Sequence, residues 1–235
     1  MLVEVPEALA RAAGLELGRY REAHVHERVR RALEREQVTG VGGLARCLQA
    51  DPGARARFRR SVAVSVSGLF RDPEQFELLE RRLLPPFIER ERKTRIWSAG
   101  CADGSELYSV GMLLARAGAL ERSFLLGSDL LEENLRAARA GNGFGPNVSD
   151  AIRSRLRWEQ RDLLRDGPAP GKWDVVLCRN VAIYFSPEAK ETLHAQLASS
   201  LARDGVLLLG RSERVSSAAR FGLEEIGQHA YRRLG

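Results

Sequence analysis

Near its centre the sequence reads Arg95-Ile96-Trp97-Ser98-Ala99-Gly100-Cys101-Ala102-Asp103-Gly104-Ser105-Glu106-Leu107-Tyr108-Ser109, and the apolar run Val110-Gly111-Met112-Leu113-Leu114 follows. This pattern predicts a short buried strand, a loop bracketed by two glycines, and a helix. Glycine adopts positive φ without steric cost, so both glycines allow a sharp turn and a close approach of a ligand. Strand, glycine loop and helix N-terminus in this order are typical of the first crossover of a nucleotide-binding α/β domain.

The loop lacks the features of a phosphate binder. Its glycines follow G-x-x-x-G rather than G-x-G-x-x-G, no Gly-Lys-Ser/Thr is present, and Asp103 and Glu106 stand where a phosphate would lie. Carboxylates at these positions repel a pyrophosphate and attract a cation. S-adenosylmethionine is compatible with them because it has a sulfonium, an ammonium and a ribose but no phosphate. An ordinary βα turn with a capped helix has the same spacing, so the loop alone leaves both interpretations open.

Length and composition bound the class of protein. At 235 residues, 44% of them hydrophobic, the chain can bury the core of one large domain or two small ones. No apolar run approaches the roughly 18 residues of a membrane span, and the first residues lack the pattern of a secretory signal. Cys47, Cys101 and Cys178 are far apart in sequence, which favours a reduced protein. We therefore expect a cytoplasmic protein without membrane insertion.

The net charge of +6 is compatible with a nucleic-acid partner or an acidic protein partner. All but three of the 37 basic residues are arginine, a skew that genome composition also produces. Only 6% of residues are aromatic and no basic stretch is rich in them, so we expect no nucleic-acid partner. His24 and His26 lie two residues apart, on different faces of a helix, and we predict no metal site.

The N-terminal part of the chain has helical patterns. Val25, Val29 and Leu33 recur at four-residue spacing and predict a helix over residues 20–35. The polar face of this helix carries Arg21, Arg28, Arg30, Arg31 and Arg35. Such a face is either simply solvated or a surface for an acidic partner. A short helix is predicted over residues 44–49, and the alternation of valine with serine over residues 61–67 predicts a strand.

From residue 95 onward, apolar runs alternate with helical patterns. We predict strands at residues 96–99, 123–128, 158–160, 173–178 and 205–210, helices at 132–140, 148–156 and 187–201, and a final antiparallel pair at 221–228 and 230–233. This alternation predicts a mostly parallel sheet covered by helices on both faces, with its ligand at the carboxyl ends of the strands. Asp129, Asp162 and Arg179-Asn180 follow three of these strands. Each of them alone is equally compatible with a helix cap or a loop.

Several motifs resemble those of one family. They are Ser65-Val66-Ser67-Gly68-Leu69-Phe70-Arg71, the block from Trp97 to Ser109, Asp129, Cys178-Arg179-Asn180-Val181-Ala182-Ile183-Tyr184-Phe185, and Gly210-Arg211-Ser212-Glu213. Together with the arginine-rich helix, they make nearly the whole chain similar to the CheR family of S-adenosylmethionine-dependent chemoreceptor glutamate methyltransferases.

The resemblance implies an α/β protein with a Rossmann-like class I methyltransferase fold and a small all-α N-terminal domain. We expect a helical substrate-recognition domain at residues 1–72, a linker helix at 73–94 and the S-adenosylmethionine-dependent methyltransferase domain at 95–235. We also expect a monomer that methylates an acidic helical region of a chemoreceptor or similar signalling protein and releases S-adenosylhomocysteine.

The resemblance also implies roles for individual residues. Arg71 and Tyr184 are the expected catalytic residues, which orient the substrate glutamate, and Arg28 and Arg31 are the expected substrate-binding residues. The expected cofactor-binding residues are Ser65, Ser67, Arg71, Gly100, Glu106, Asp129, Asp162, Leu163, Arg179 and Asn180. Among them, Glu106 and Asp129 would hold the methionine amine and the ribose, and Asp162-Leu163 would lie against the adenine.

Two departures from the family pattern bear on function. The family's Thr-Asn-x-Thr-x-Phe-Phe-Arg is altered at Ser65, Ser67 and Leu69, and its Gly-Glu-Glu-Pro-Tyr-Ser block has Ser105 and Leu107 instead of glutamate and proline. The interval from residue 140 to residue 173 is too short for the antiparallel β-subdomain that docks a receptor C-terminal peptide in some members. We therefore predict a glutamate methyltransferase that is independent of pentapeptide tethering. The alternative is a degenerate member that binds S-adenosylmethionine or S-adenosylhomocysteine as a sensor or interaction module, without methyl transfer.

Overall fold

A computed structural model describes residues 7–141, 143–144 and 148–235. The chain forms two compact units, one containing the residues up to Ser65 together with Tyr184–Lys190, and the other containing Val66–Ile183 and Glu191–Gly235. We refer to them as the helical unit and the sheet unit. The short segment Tyr184–Lys190 therefore belongs with helices that are more than a hundred residues earlier in the sequence.

Four helices build the helical unit. They are α1 (Glu7–Ala13), α2 (Glu22–Glu36), α3 (Gly40–Ala50) and α4 (Pro52–Val62). The apolar stripe of α2 is buried at Val25 and Val29, as its spacing predicted. Helix α4 begins where its sequence provides both a cap and a preset φ, because the side chain of Asp51 accepts the Gly53 N–H at 2.7 Å and Pro52 occupies the first turn.

The predicted strand over residues 61–67 is wrong. Ser61 and Val62 complete α4, where Val62 is fully buried in the helical core. The residues after Val62 run without regular structure, and Val66 leaves 64% of its surface exposed. Among the described residues, the segment of alternating valine and serine therefore pairs with no strand, and its first residues pack as part of a helix instead.

Seven strands form the sheet of the second unit. They are β1 (Thr94–Ala99), β2 (Ser123–Asp129), β3 (Leu156–Gln160), β4 (Trp173–Cys178), β5 (Leu201–Leu209), β6 (Leu223–Gly227) and β7 (Ala230–Arg233). Their order is β3-β2-β1-β4-β5-β7-β6, in which the first five strands are parallel and β7 runs antiparallel to β5 and β6. This arrangement is the mostly parallel sheet that the sequence predicted, and it has the Rossmann-like order that the resemblance implied.

The sheet reverses its order of winding between β1 and β4. Chain connections from β1 proceed outward to β2 and β3 and then return to β4 on the other side of β1. In open sheets of this kind, ligands bind at the carboxyl ends of the strands beside such a switch point. The loops after β1, β2 and β4 are therefore the part of the molecule where a site is expected.

Helices and connecting segments complete the sheet unit. They are α5 (Pro73–Leu78), a π-helical turn (Leu79–Leu83), α6 (Pro85–Ile88), α7 (Ser105–Arg116), α8 (Glu132–Ala140), α9 (Asp150–Arg155) and the part of α10 (Pro187–Ser200) that follows Lys190. The stretch predicted as a linker is part of the packed core, because Phe76, Leu79 and Leu83 are buried against residues such as Ile96 and Leu113. None of the helices in the described part of the chain is long and apolar enough to cross a membrane.

The interval between α8 and β4 bears on the predicted loss of the β-subdomain. Its described residues form α9 and β3, and β3 pairs in parallel with β2 as a strand of the main sheet. Among residues 141, 143–144 and 148–172, no antiparallel strand is present.

Candidate functional site

The glycine loop after β1 turns sharply against two neighbouring side chains. Gly100 and Gly104 have φ values of 78° and 86°, in the left-handed region that favours glycine. A Cβ on Gly100 would lie 2.5 Å from Cγ2 of Val181, and one on Gly104 would lie 2.5 Å from Cη2 of Trp158. Both conformation and space therefore require glycine, because protein side chains fill the space that a Cβ would occupy.

Asp129 is the last residue of β2, and its side chain forms hydrogen bonds to three segments of the chain. Its buried carboxylate accepts hydrogen bonds from the N–H groups of Ala102 and Leu131 and from Nδ2 of Asn134, each at 2.9 Å. Burial raises the pKa of the Asp129 carboxyl above its usual value, while these three hydrogen bonds act in the opposite direction. Oδ2 accepts the Ala102 N–H, and a carboxylate oxygen has a second acceptor position.

Glu106 lies in the first turn of α7, immediately after the loop. Its Oε1 accepts the hydroxyl of Ser98 at 2.7 Å, and its Oε2 accepts Nη1 of Arg179 at 3.1 Å. The side chain is 15% exposed, so Glu106 is held in place from two strands and retains limited contact with solvent.

Arg179 follows β4 and is the centre of a buried network. Nε donates to Oε1 of Gln75 at 2.8 Å, and Nη2 donates both to Oδ2 of Asp72 at 3.0 Å and to the Arg71 carbonyl. The guanidinium lies 4.9 Å from the centre of the Phe76 ring. Gln75 extends the network by donating to the Leu209 carbonyl at the end of β5.

This network determines what Arg179 can do. Only 3% of its side chain is exposed, and four of its five N–H groups donate to protein acceptors, including Glu106. Arg179 thus connects the ends of β4 and β5 to the start of α5 and to α7. Its main effect is to fix the carboxylate of Glu106, with one N–H remaining for a ligand.

Asn180 comes next and has a φ of 60°, which is uncommon for a residue other than glycine. Its backbone N–H donates to the carboxylate of Glu213. Sequence reasoning named neither Glu213 nor Gln75 as a site residue. The signal for Glu213 was the motif Gly210-Arg211-Ser212-Glu213, whereas nothing in the sequence singled out Gln75.

The loop after β3 holds the pair predicted to lie against an adenine. Asp162 is buried and accepts the Leu164 N–H at 3.0 Å through Oδ1, while its own N–H donates to Oδ2 of Asp166 at 2.9 Å. Leu163 is also buried, at 7% exposure. The side chains at the ends of β1, β2, β3 and β4 therefore all lie on the same edge of the parallel sheet.

The charges around the glycine loop suit a cation. Cys101 is fully buried, and its thiol pKa is raised well above the usual value by burial and then by Asp129, Glu106 and Asp103. These carboxylates therefore act on one point in the loop, and the charge of Arg179 is shared between Glu106 and Asp72. Their residual negative charge fits the sulfonium and ammonium of S-adenosylmethionine better than it fits a phosphate.

The remaining predicted residues of the sheet unit lie in the segment before α5. Arg71 donates to the Val66 carbonyl, so the segment folds back on itself, and the Phe70 N–H donates to the Ser109 hydroxyl at 2.9 Å. The side chain of Ser67 is exposed.

Four predicted site residues belong to the helical unit. Tyr184 stacks on His24, with ring centres 4.4 Å apart and planes at 21°, and its carbonyl accepts the Arg21 N–H at 2.8 Å. Ser65 is exposed, and its hydroxyl donates to the Ala63 carbonyl at 3.4 Å. Tyr184 is therefore anchored to the start of α2 by both its ring and its backbone.

The two arginines predicted to bind substrate differ in their surroundings. Nε of Arg31 donates to the carboxylate of Glu27, and the Arg31 side chain is 60% exposed. Arg28 is half-buried, and its Nε is buried without a hydrogen-bond partner. Within the described ranges, no three histidine, cysteine, aspartate or glutamate side chains are grouped so that they could hold a metal ion.

Comparison with known proteins gives consistent matches to one family. Residues 65–143 and 141–229 match the family model "CheR methyltransferase, SAM binding domain". Chemotaxis protein methyltransferase Cher2 of Pseudomonas putida is 30% identical over 241 residues, which cover 87% of this chain and 86% of the relative. The chemotaxis protein methyltransferase of Listeria monocytogenes is 29% identical over 94% of this chain and 92% of its own.

Solved methyltransferase structures also match this chain. Magnesium protoporphyrin IX methyltransferase of Synechocystis with bound SAM is 18% identical over 68% of this chain and 76% of its own, with a TM-score of 0.46.

Proposed function

Because this chain belongs to the CheR methyltransferase family and contains the family's S-adenosylmethionine-binding domain, we propose that it forms methyl esters on glutamate side chains of a chemoreceptor. The observation that carries the proposal is the pair of carboxylates beside the glycine loop, Asp129 and Glu106, which backbone groups and Arg179 hold in place. An acidic site with no phosphate-binding feature suits this cationic cofactor.

We propose individual roles for the residues of the sheet unit. Oδ2 of Asp129 accepts from the ribose, Glu106 pairs with the methionine ammonium, and Asp162 with Leu163 borders the adenine. When bound, S-adenosylmethionine supplies a methyl group on a positively charged sulfur, which is the electrophile of the reaction. The glycine loop between Gly100 and Gly104 would supply the backbone that borders the cofactor.

The acceptor needs little activation. A glutamate carboxylate is ionised at neutral pH, and its attack on a methylsulfonium cancels charge, so positioning and exclusion of water supply most of the required catalysis. We propose that Arg71 and Tyr184 orient the carboxylate rather than remove a proton. The stack of Tyr184 on His24 supports an orienting role, since it restricts the tyrosine ring.

We propose that the basic face of α2 receives the acidic helices of the substrate, without a tethered pentapeptide. Arg31 already pairs with Glu27, so Arg28 is expected to contribute more. The double variant Arg28→Glu/Arg31→Glu should raise KM for the protein substrate at least tenfold with little change in kcat. The matched control is Arg46→Glu/Arg55→Glu, which reverses two exposed charges elsewhere in the helical unit and should leave KM near the wild-type value. An unchanged KM in the first variant would exclude this docking role.

A second candidate function is a binding module without methyl transfer. The observation in its favour is that Ser65 and Ser67, which depart from the family pattern, are both exposed. The experiment that separates the two functions combines S-adenosylhomocysteine titration by calorimetry with a turnover assay. In that assay, purified chain and S-adenosylmethionine are incubated with and without a chemoreceptor cytoplasmic fragment.

If the chain is an enzyme, it should bind S-adenosylhomocysteine in the calorimeter. It should also form S-adenosylhomocysteine from S-adenosylmethionine in a reaction that depends on the fragment. Binding without such turnover would favour the module. Asp129→Ala should abolish both signals, while Asp150→Ala, at an exposed carboxylate, is the matched control and should retain them.

A further inference from the structure

The carboxylate of Glu213 collects four backbone N–H groups. Oε1 accepts from Val181 at 3.1 Å and Ala182 at 2.7 Å, and Oε2 accepts from Asn180 and, at 3.1 Å, from Gly210. Three of these donors are consecutive residues of the segment that follows β4 and Arg179. Glu213 is only 6% exposed, so a buried side chain forms hydrogen bonds to the segment that contains the predicted cofactor residue Asn180.

This set of four hydrogen bonds requires a carboxylate. Two carboxylate oxygens offer about four acceptor positions, and the four N–H groups use all of them. A neutral amide of the same shape has one oxygen, and its NH2 group would face N–H donors. The negative charge is balanced here by backbone dipoles, as in other concave arrangements of main-chain N–H groups.

Glu213 is itself held by the C-terminal hairpin. Its N–H donates to the Gly210 carbonyl at 2.9 Å, which closes a tight turn after β5. Its carbonyl accepts Nδ1 of His229 at 2.7 Å, which fixes Nδ1 as the protonated nitrogen because a carbonyl can only accept. The carbonyl of His229 in turn accepts the Leu209 N–H at 2.9 Å. The hairpin of β6 and β7 thus supports the turn that carries Glu213.

We propose that Glu213 is a positioning residue for cofactor binding, which holds Asn180 in its left-handed conformation and sets the backbone beside the glycine loop. The contact between that segment and the loop is tight, since Val181 leaves no room for a side chain at Gly100. This inference rests on the proposed function, because its consequence is a change in affinity for S-adenosylmethionine and S-adenosylhomocysteine. The β6–β7 hairpin and the Gly210–Glu213 turn thus contribute to the cofactor site, in addition to the ends of the parallel strands.

Two variants test the proposal by different routes. Glu213→Gln keeps the shape of the side chain and removes half of its acceptor positions. Gly210→Ala keeps Glu213 but places a Cβ 2.6 Å from its Oε2 and 2.7 Å from the Asn180 nitrogen, without a positive φ at Gly210 to add strain. The control is Glu225→Gln, an exposed glutamate on β6. Affinity for S-adenosylhomocysteine is measured by calorimetry, well below the unfolding midpoint of every variant, with circular dichroism as the check on folding.

The proposal predicts that each test variant binds at least tenfold more weakly, a loss of about 1.4 kcal/mol, while circular dichroism stays native. It also predicts that combining the two changes adds little, since both disrupt one contact, and that Glu225→Gln binds like the wild type. A purely structural role would lower the unfolding midpoint and leave affinity unchanged, and that result overturns the proposal. If Glu213→Gln fails to fold, Gly210→Ala decides by the same criterion. Failure of the wild type to bind would instead refute the proposed function.

Discussion

Replacement of Arg179 by methionine should destabilise the sheet unit strongly. The guanidinium donates four hydrogen bonds, and its removal leaves the carboxylates of Asp72 and Glu106 without this ion-pair partner. The side chains of Asp72 and Glu106 are 21% and 15% exposed. Loss of one partner from a buried ion pair costs about 3–5 kcal/mol. Because both carboxylates keep some contact with water, the lower end applies, and we expect a loss of about 3 kcal/mol. For a chain of this size that corresponds to a fall in Tm of about 6–12 °C.

Differential scanning calorimetry measures this loss, and a second change identifies its cause. Glu106→Gln removes one of the stranded charges, so Arg179→Met/Glu106→Gln should be less destabilised than the sum of the single variants by about 1–3 kcal/mol. The control Arg136→Met removes an exposed arginine whose nearest carboxylate is 3.8 Å away, and should change stability by less than about 0.5 kcal/mol. A loss below about 1 kcal/mol for Arg179→Met, or strict additivity in the double variant, would refute the buried-network interpretation.

Three further predictions concern stability. Gly104→Ala should cost about 3 kcal/mol in chemical denaturation, because it combines positive φ with a clash against Trp158; a loss under about 1 kcal/mol would contradict it. The pKa of the Glu36 carboxyl is lowered to about 2, mainly by Arg57. After allowance for solvent screening, the ionised carboxylate contributes about 1 kcal/mol to the free energy of unfolding, and this contribution should be lost as pH falls from about 4.5 to 2. Glu36→Gln should lack that loss. Burial lowers the pKa of His24 below 6.5, so the helical unit should lose stability as pH falls below that value, and His24→Phe should lose less; an equal loss would contradict the assignment to His24.

The parallel strands were predictable from sequence because each is a short apolar run that ends in a polar residue. Strand β4 has the predicted bounds, and β1 and β2 differ from prediction by two residues or fewer at each end. The start of β5 was missed by four residues, since Asp204-Gly205 resembles a turn. In the structure, β5 pairs with β4 on both sides of an irregularity near Asp174 and so begins at Leu201.

The polar network of the site was only partly predictable. Asp129 and Glu106 could be identified because each lies next to a recognisable element, the end of a strand or the start of a helix. Arg179 was expected to contact the cofactor, yet its partner Gln75 is 104 residues away in sequence, and no local pattern reveals such a contact. The same holds for the carboxylate of Glu213, which reaches a segment 33 residues earlier. Buried polar contacts between distant segments depend on the assembled fold, which periodicity does not describe.

The membership of Tyr184 in the helical unit is another feature that sequence order conceals. The segment that carries it follows β4 directly, and sequence reasoning assigned all of residues 95–235 to one domain. In the structure the bridge between Tyr20 and Phe185 and the hydrogen bond from Ser186 to the Arg19 carbonyl join the segment to the helices. The aromatic residues of the segment pack on these helices, Tyr184 on His24 and Phe185 on Tyr20.

Identification of the methylated atom tests the central claim most directly. Purified chain, S-adenosylmethionine and a chemoreceptor cytoplasmic fragment are incubated, and the fragment is then mapped by tandem mass spectrometry before and after mild alkaline treatment, which hydrolyses carboxylate esters. The account predicts a mass gain of one methylene on glutamate side chains of the fragment, absent with Asp129→Ala and reversed by alkali. A stable gain on another residue type, or none although the chain binds S-adenosylhomocysteine, would contradict glutamate methylation.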